Sequence, residues 1–180
     1  MLAKFNIIAI TVEAILSQNK VMASCVNVAC PQWVKLNSAP VCFGAQGNQY
    51  GRFTTINRNI FVSSFMFVHR TGTVSCSKGD KANFSYWGCG PNSVSLAAIL
   101  TDNQNKILAP DASKVNSKTG WYNLAGYTSA SSVLIFCAPK KPHCVFANSE
   151  LRLWYGEDFR GYTESDNRGK TCADVYGLLA

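Results

Sequence analysis

The chain has 180 residues, 17 Lys and Arg against 10 Asp and Glu for a formal net charge of +7, and eight cysteines. That length suits one domain with its own core. The positive charge is scattered, with Lys140-Lys141 the one adjacent pair, so no stripe suited to a nucleic-acid backbone is present and nucleic acid is excluded as an expected partner.

In "MLAKFNIIAITVEAILSQNKVMASC", Lys4 precedes an apolar run from Phe5 to Leu16 that only Asn6, Thr11 and Glu13 interrupt. The run has the length of a signal-peptide core and is too short to span a bilayer. Val21 and Ala23 place the cut between Ala23 and Ser24. The expectation is a signal peptide over 1–23, a single domain over 24–180, and a secreted, extracellular product without a transmembrane anchor. The competing reading, a first core element, is supported by the charge of Glu13.

All eight cysteines follow the cut: Cys25, Cys30, Cys42, Cys76, Cys89, Cys137, Cys144 and Cys172. An even count in an exported chain predicts four disulfides. Proximity suggests Cys76 with Cys89, and Cys137 with Cys144 across "APKKPH". Zinc is disfavoured, because no C-x-x-C pair occurs and His69 and His143 are isolated. Asn83-Phe84-Ser85 is an N-glycosylation acceptor, so a glycoprotein is expected.

Short runs rich in Val, Ile, Phe, Tyr and Thr alternate with turn signals such as "GAQGNQYG", "HRTGT", "GCGPNS" and "NSKTG". That spacing predicts an all-β, disulfide-linked β-sandwich of about eight to ten strands, of jelly-roll type. In chain order, Phe61 to Arg70 is apolar on both faces and predicts a central strand. Ser93 to Leu100 reads as a strand with Val94, Leu96, Ala98 and Leu100 on one face, and "TDNQNKIL" supplies a turn and a return. "SSVLIFCA" resembles the first of these. "ELRLWYGEDF" alternates, with Leu151, Leu153 and Tyr155 inward and Arg152, Trp154 and Asp158 on a wet face.

The remaining question is why a basic chain collects Glu157, Asp158, Glu164, Asp166 and Asp174 in its last stretch. Adjacent strand residues face opposite ways, so Glu157 and Asp158 do not form the facing carboxyl pair of a glycosidase unless a turn begins between them; Asp158 with Asp174 stays open. No G-x-S-x-G elbow or phosphate loop is present and His69 is a poor base, so no enzyme is expected. A calcium site fits the residue types better. Glu157, Asp158, Glu164, Asp166 and Asn167 supply oxygens, with glycines to turn the backbone, although the pattern is not an EF-hand. The alternative is a solvated turn whose acids pair with Arg152, Arg160, Arg168 and Lys170. Trp154, Tyr155 and Tyr162 are candidate stacking surfaces for a glycan, against the reading that such rings close the core.

"VCFGAQGNQYGRF", "VSCSKGDKANFSYWGCG" and "LRLWYGEDFRGYTESDNRGKTCADVYG" together resemble a class of small secreted, cysteine-containing domains from cnidarians, including coral skeletal organic matrix, and from fish. The resemblance covers most of 41–177 and implies an extracellular, non-enzymatic, matrix-associated protein. It assigns no role to individual residues. The leading expectation is therefore an extracellular matrix component taking part in biomineralization, with matrix components, mineral surface or glycans as partners and calcium as the candidate ion. The alternatives are a secreted glycan-binding lectin and a membrane-active defence protein.

Overall fold

Runs rich in β-branched and aromatic residues, set between turns of Gly and Asn, become antiparallel strands. The computed structural model describes residues 32–78, 81–137 and 141–180. The expected signal peptide, Cys25 and Cys30 lie outside the described residues.

Two long strands, β4 (Ile60–Ser75) and β12 (Arg168–Leu179), pair with each other and carry the larger sheet. Short strands are laid end to end along their outer edges. β1 (Trp33–Lys35) and β2 (Val41–Gly44) flank β12, while β9 (Val133–Cys137) and β10 (His143–Val145) flank β4. A second sheet has the order β3 (Gly51–Thr54), β11 (Glu150–Tyr155), β6 (Ala98–Asp102), β7 (Ile107–Ala109). β5 (Ser95–Leu96) and β8 (Tyr122–Asn123) form a small ladder of their own. Phe43, Phe65, Phe67, Trp87, Ile99, Leu134, Leu153 and Tyr155 are fully buried in the core. Each such side chain contributes roughly 1.5 to 3 kcal/mol. The fold is all-β, and β4 is the central strand its two apolar faces predict.

Ser93 to Leu100 is not one strand. β5 pairs with β8 and β6 with β11, and the chain changes partner at Ala97, whose N–H donates to Trp87 O. Residues 96 to 100 are consequently buried on both sides, while Val94 is exposed.

Cys42–Cys172 joins β2 to β12 and closes a separation of 130 residues. In the chain-entropy model a loop of that length is worth about 4 to 5 kcal/mol. Cys76–Cys89 forms as proximity suggested. Cys137–Cys144 does not, because β9 and β10 follow one another along the same edge of β4. Cys137 lies opposite Ser64 and Cys144 opposite Phe61. Three strand positions are about 10 Å, beyond the roughly 7 Å that a disulfide spans. Cys137 is bridged elsewhere, and Cys144 is exposed with a free thiol, so the eight cysteines do not make four bridges.

Asp174, almost wholly buried on β12, ties three strands together. Its carboxylate accepts from Lys35 (3.0 Å), Arg70 (2.6 Å) and Asn37 (3.1 Å). Burial alone would raise its pKa, but the Lys35 and Arg70 cations outweigh burial and hold it below the usual carboxylate range. Asn83 is half-buried in a short 3-10 turn over Lys81–Asn83. No helix among the described residues is long and apolar enough to cross a membrane.

Candidate functional site

The site begins where β11 ends. Sequence alternation carried the strand through to Asp158, but the chain turns at Gly156 into a single helical turn, α1 (Gly156–Arg160), closed by Gly161 at φ 61°. Glu157 and Asp158 therefore do not project from opposite faces of a strand. Both are buried. Gly156 permits the turn because its backbone lies against that of Gly120, and a Cβ on either glycine would overlap the other's backbone.

That contact brings the 116–121 loop to α1. The indole Nε1 of Trp121 donates to Glu157 Oε1 at 2.9 Å. Thr163 reaches the same oxygen with its hydroxyl at 3.4 Å from a left-handed conformation, φ 45°, that costs a non-glycine residue about 1 kcal/mol or more. The β2–β3 loop closes the other side. Gly47 and Asn48 are successive left-handed residues, and their N–H groups donate to Glu164 Oε2 (2.7 Å) and Asp158 Oδ1 (2.6 Å). Asn167 is fixed by donation from Nδ2 to Ala45 O (3.0 Å).

After these bonds, Glu157 Oε2, Asp158 Oδ2 and Asn167 Oδ1 have no protein partner, although their side chains are only 6%, 3% and 0% exposed. A buried acceptor left alone costs about 1 to 3 kcal/mol, more when charged. Such groups are normally served by water or an ion. Burial first, and then the Glu164 carboxyl, push the pKa of Asp158 up to about 7 against the opposing N–H groups of Asn48 and Gln49.

Among the described residues no group of three or more His, Cys, Asp or Glu is placed to hold a metal ion by itself. The donors here are two carboxylate oxygens and one amide oxygen, the hard donor set that Ca²⁺ takes together with backbone carbonyls and ligand hydroxyls. Of the five expected calcium ligands, Glu157, Asp158 and Asn167 each carry a buried oxygen without a protein partner. Glu164 is committed to Gly47, and Asp166 is half-buried in the short turn Glu164–Asp166. The solvated, arginine-paired turn is not observed. Arg152 pairs with Glu150, Arg160 lies over Phe159, and Arg168 bonds Gln46 Oε1 and the carbonyls of Ser165 and Asn167.

The aromatic expectation needs a larger correction. Trp154 is 4% exposed, packed under Tyr50 and Phe159 with its N–H donated to Thr101 Oγ1, and Tyr155 is fully buried. Neither presents a face to a sugar: the β2–β3 loop covers Trp154 on what alternation predicted as the wet side of β11, and Tyr155 is part of the core. Tyr162 stays half-exposed, with Lys118 Nζ 5.5 Å from its ring centre. Trp121, half-exposed and edge-on to Tyr155, joins it at the site. Nothing in the local sequence marked Trp121 beyond its place after the turn "NSKTG". Trp121 also lines a cleft of about 500 Å³, together with Ser113 to Asn116, Tyr122 and Asn123.

No protein-family model matches the chain, and no curated protein sequence does. A solved structure does match: AJLec from the sea anemone Anthopleura japonica is 36% identical and superposes with a TM-score of 0.76. The match covers 84% of this chain and 99% of AJLec.

Proposed function

Because the chain belongs to the same family as AJLec, a sea anemone protein whose name marks it as a lectin, we propose that it is a secreted glycan-binding protein whose site is the acidic pocket between the β2–β3 loop and α1. The observation that carries the location is the set of three buried, unpartnered oxygens on Glu157, Asp158 and Asn167 beside the half-exposed rings of Trp121 and Tyr162.

Calcium is the ion that this donor set fits, and when bound it supplies coordination positions that saccharide hydroxyls fill. The chain's own residues do the rest. Trp121 and Thr163 orient Glu157, Asn48 orients Asp158, and Ala45 orients Asn167. Tyr162 and Trp121 offer ring faces to the apolar side of a sugar. Buried acids with unpartnered oxygens suit a single ion with a soluble ligand better than a mineral face, which calls for rows of exposed carboxylates. Glycans, rather than mineral, are the proposed partner, and binding without catalysis the proposed activity. Disulfides that close the fold fit an oxidising, extracellular setting.

The test is retention of the protein on a printed glycan panel in Ca²⁺ and again after chelation. Retention of a defined sugar class that chelation abolishes supports the reading. Failure to retain any glycan in Ca²⁺ refutes it.

A further inference from the structure

Trp121 belongs to two surfaces at once. Its indole N–H is committed to Glu157, while the residue also lines the adjoining cleft of about 500 Å³. That volume lies within the range of small-ligand sites, roughly 300 to 1,000 Å³.

The cleft walls are held in place by their own hydrogen bonds. Asn116 Oδ1 accepts from the N–H groups of Lys118 and Thr119 at 3.0 Å each, and Asp111 Oδ1 accepts from Ser113 N at 3.0 Å. Val115 and Tyr122 are buried beneath it. Four exposed polar side chains line it, and of these Ser113 and Asn116 are already engaged in the turns just described. Lys114 brings an ammonium with three donors. Asn123, with its amide turned to the orientation that lets its nitrogen donate to the carbonyls of Tyr122 and Val94 (3.2 Å each), keeps Oδ1 free to accept. Donor, acceptor and ring face together match the hydroxyls and apolar face of a pyranose, and rigid walls reduce the ordering cost of binding one.

We propose that the site takes a saccharide of at least two residues, with one sugar at the acidic end and the next against Trp121 in this cleft, hydrogen-bonded by Lys114 and Asn123. The inference rests on the glycan-binding reading above and specifies its ligand as an oligosaccharide rather than a lone monosaccharide.

The experiment is equilibrium titration of the full chain in Ca²⁺ with free hexoses and N-acetylhexosamines, and with the disaccharides and trisaccharides built on each. The expected result is a gain of about ten-fold or more from one residue to two, equivalent to about 1.4 kcal/mol. The double variant Lys114→Ala, Asn123→Ala, altered only at exposed positions, loses that gain and binds monosaccharide as the wild type does. Equal affinity for the one- and two-residue ligands, or a gain that survives the double substitution, overturns the proposal. If no sugar of any length binds, the glycan-binding reading itself falls, and this one with it.

Discussion

Asp158→Asn is expected to stabilise the protein in chelator at pH 8. In the wild type, Asp158 Oδ1 accepts the Asn48 N–H at 2.6 Å, Oδ2 has no protein partner, and Glu164 is adjacent. Its folded pKa of about 7 stands above the ordinary value near 3.9. Between about pH 4 and 7 the folded state therefore keeps a proton that the unfolded chain has released, and stability falls as pH rises through that window. At about 1.4 kcal/mol for each tenfold change the ceiling is roughly 4 kcal/mol. Because Glu164 shares the effect, a loss on the order of 2 kcal/mol is expected. Asparagine keeps the bond to Asn48, directs an N–H₂ toward Glu164 and does not titrate. His69 and His143 work in the opposite sense. Burial holds both below the ordinary value, so they remove stability as pH falls through about 6.5. The difference between wild type and variant isolates Asp158. Urea unfolding in chelator at pH 5 and pH 8 reads it directly. The variant's advantage over the wild type should grow by about 1 kcal/mol or more between pH 5 and pH 8. Parallel pH profiles for the two proteins refute the reasoning.

Other perturbations probe the scaffold and the ion. With a Ca²⁺ affinity of the extracellular grade, roughly 0.1 to 1 mM, 10 mM Ca²⁺ should add about 1.4 to 2.7 kcal/mol. Thermal melts should then rise by roughly 3 to 10 °C over chelator, and 10 mM Mg²⁺ at matched ionic strength should give less. Identical melts in all three buffers contradict an ion site. Gly120→Ala forces a Cβ into Gly156 at φ 77°, so the Trp121 loop must lift from Glu157. The expected cost is about 1 to 3 kcal/mol, with loss of the calcium-dependent rise; an unchanged rise means the loop does not organise the acids. Asp174→Asn leaves Lys35 and Arg70 without their shared anion and should cost about 1 to 3 kcal/mol in urea unfolding.

Alternation and turn residues are local signals, and they were enough to reveal the class of fold, the central strand β4 and the hairpin at "TDNQNKIL". What they missed depended on which segment covers which. Trp154 has the spacing of a solvent-facing residue, yet Tyr50 packs on it from a loop a hundred residues earlier. The partner change at Ala97 is set by hydrogen bonds to Trp87 and β11 rather than by composition. Cys137 and Cys144 are near in sequence but stacked along one strand edge. The acidic segment was visible as a concentration of charge. Its division into an ion-paired Asp174 and a group of unpartnered buried oxygens around Asp158 was not, because Lys35, Arg70, Gly47 and Asn48 reach it only through the fold.

The most direct check of the central claim is the affinity of Asp158→Asn at pH 8 for whichever saccharide the wild type retains in Ca²⁺. If the acidic pocket is the binding site, a variant that is folded and more stable than the wild type binds that saccharide at least ten-fold more weakly, a loss of about 1.4 kcal/mol or more. Wild-type affinity in the variant would place the glycan elsewhere on the molecule and contradict the account.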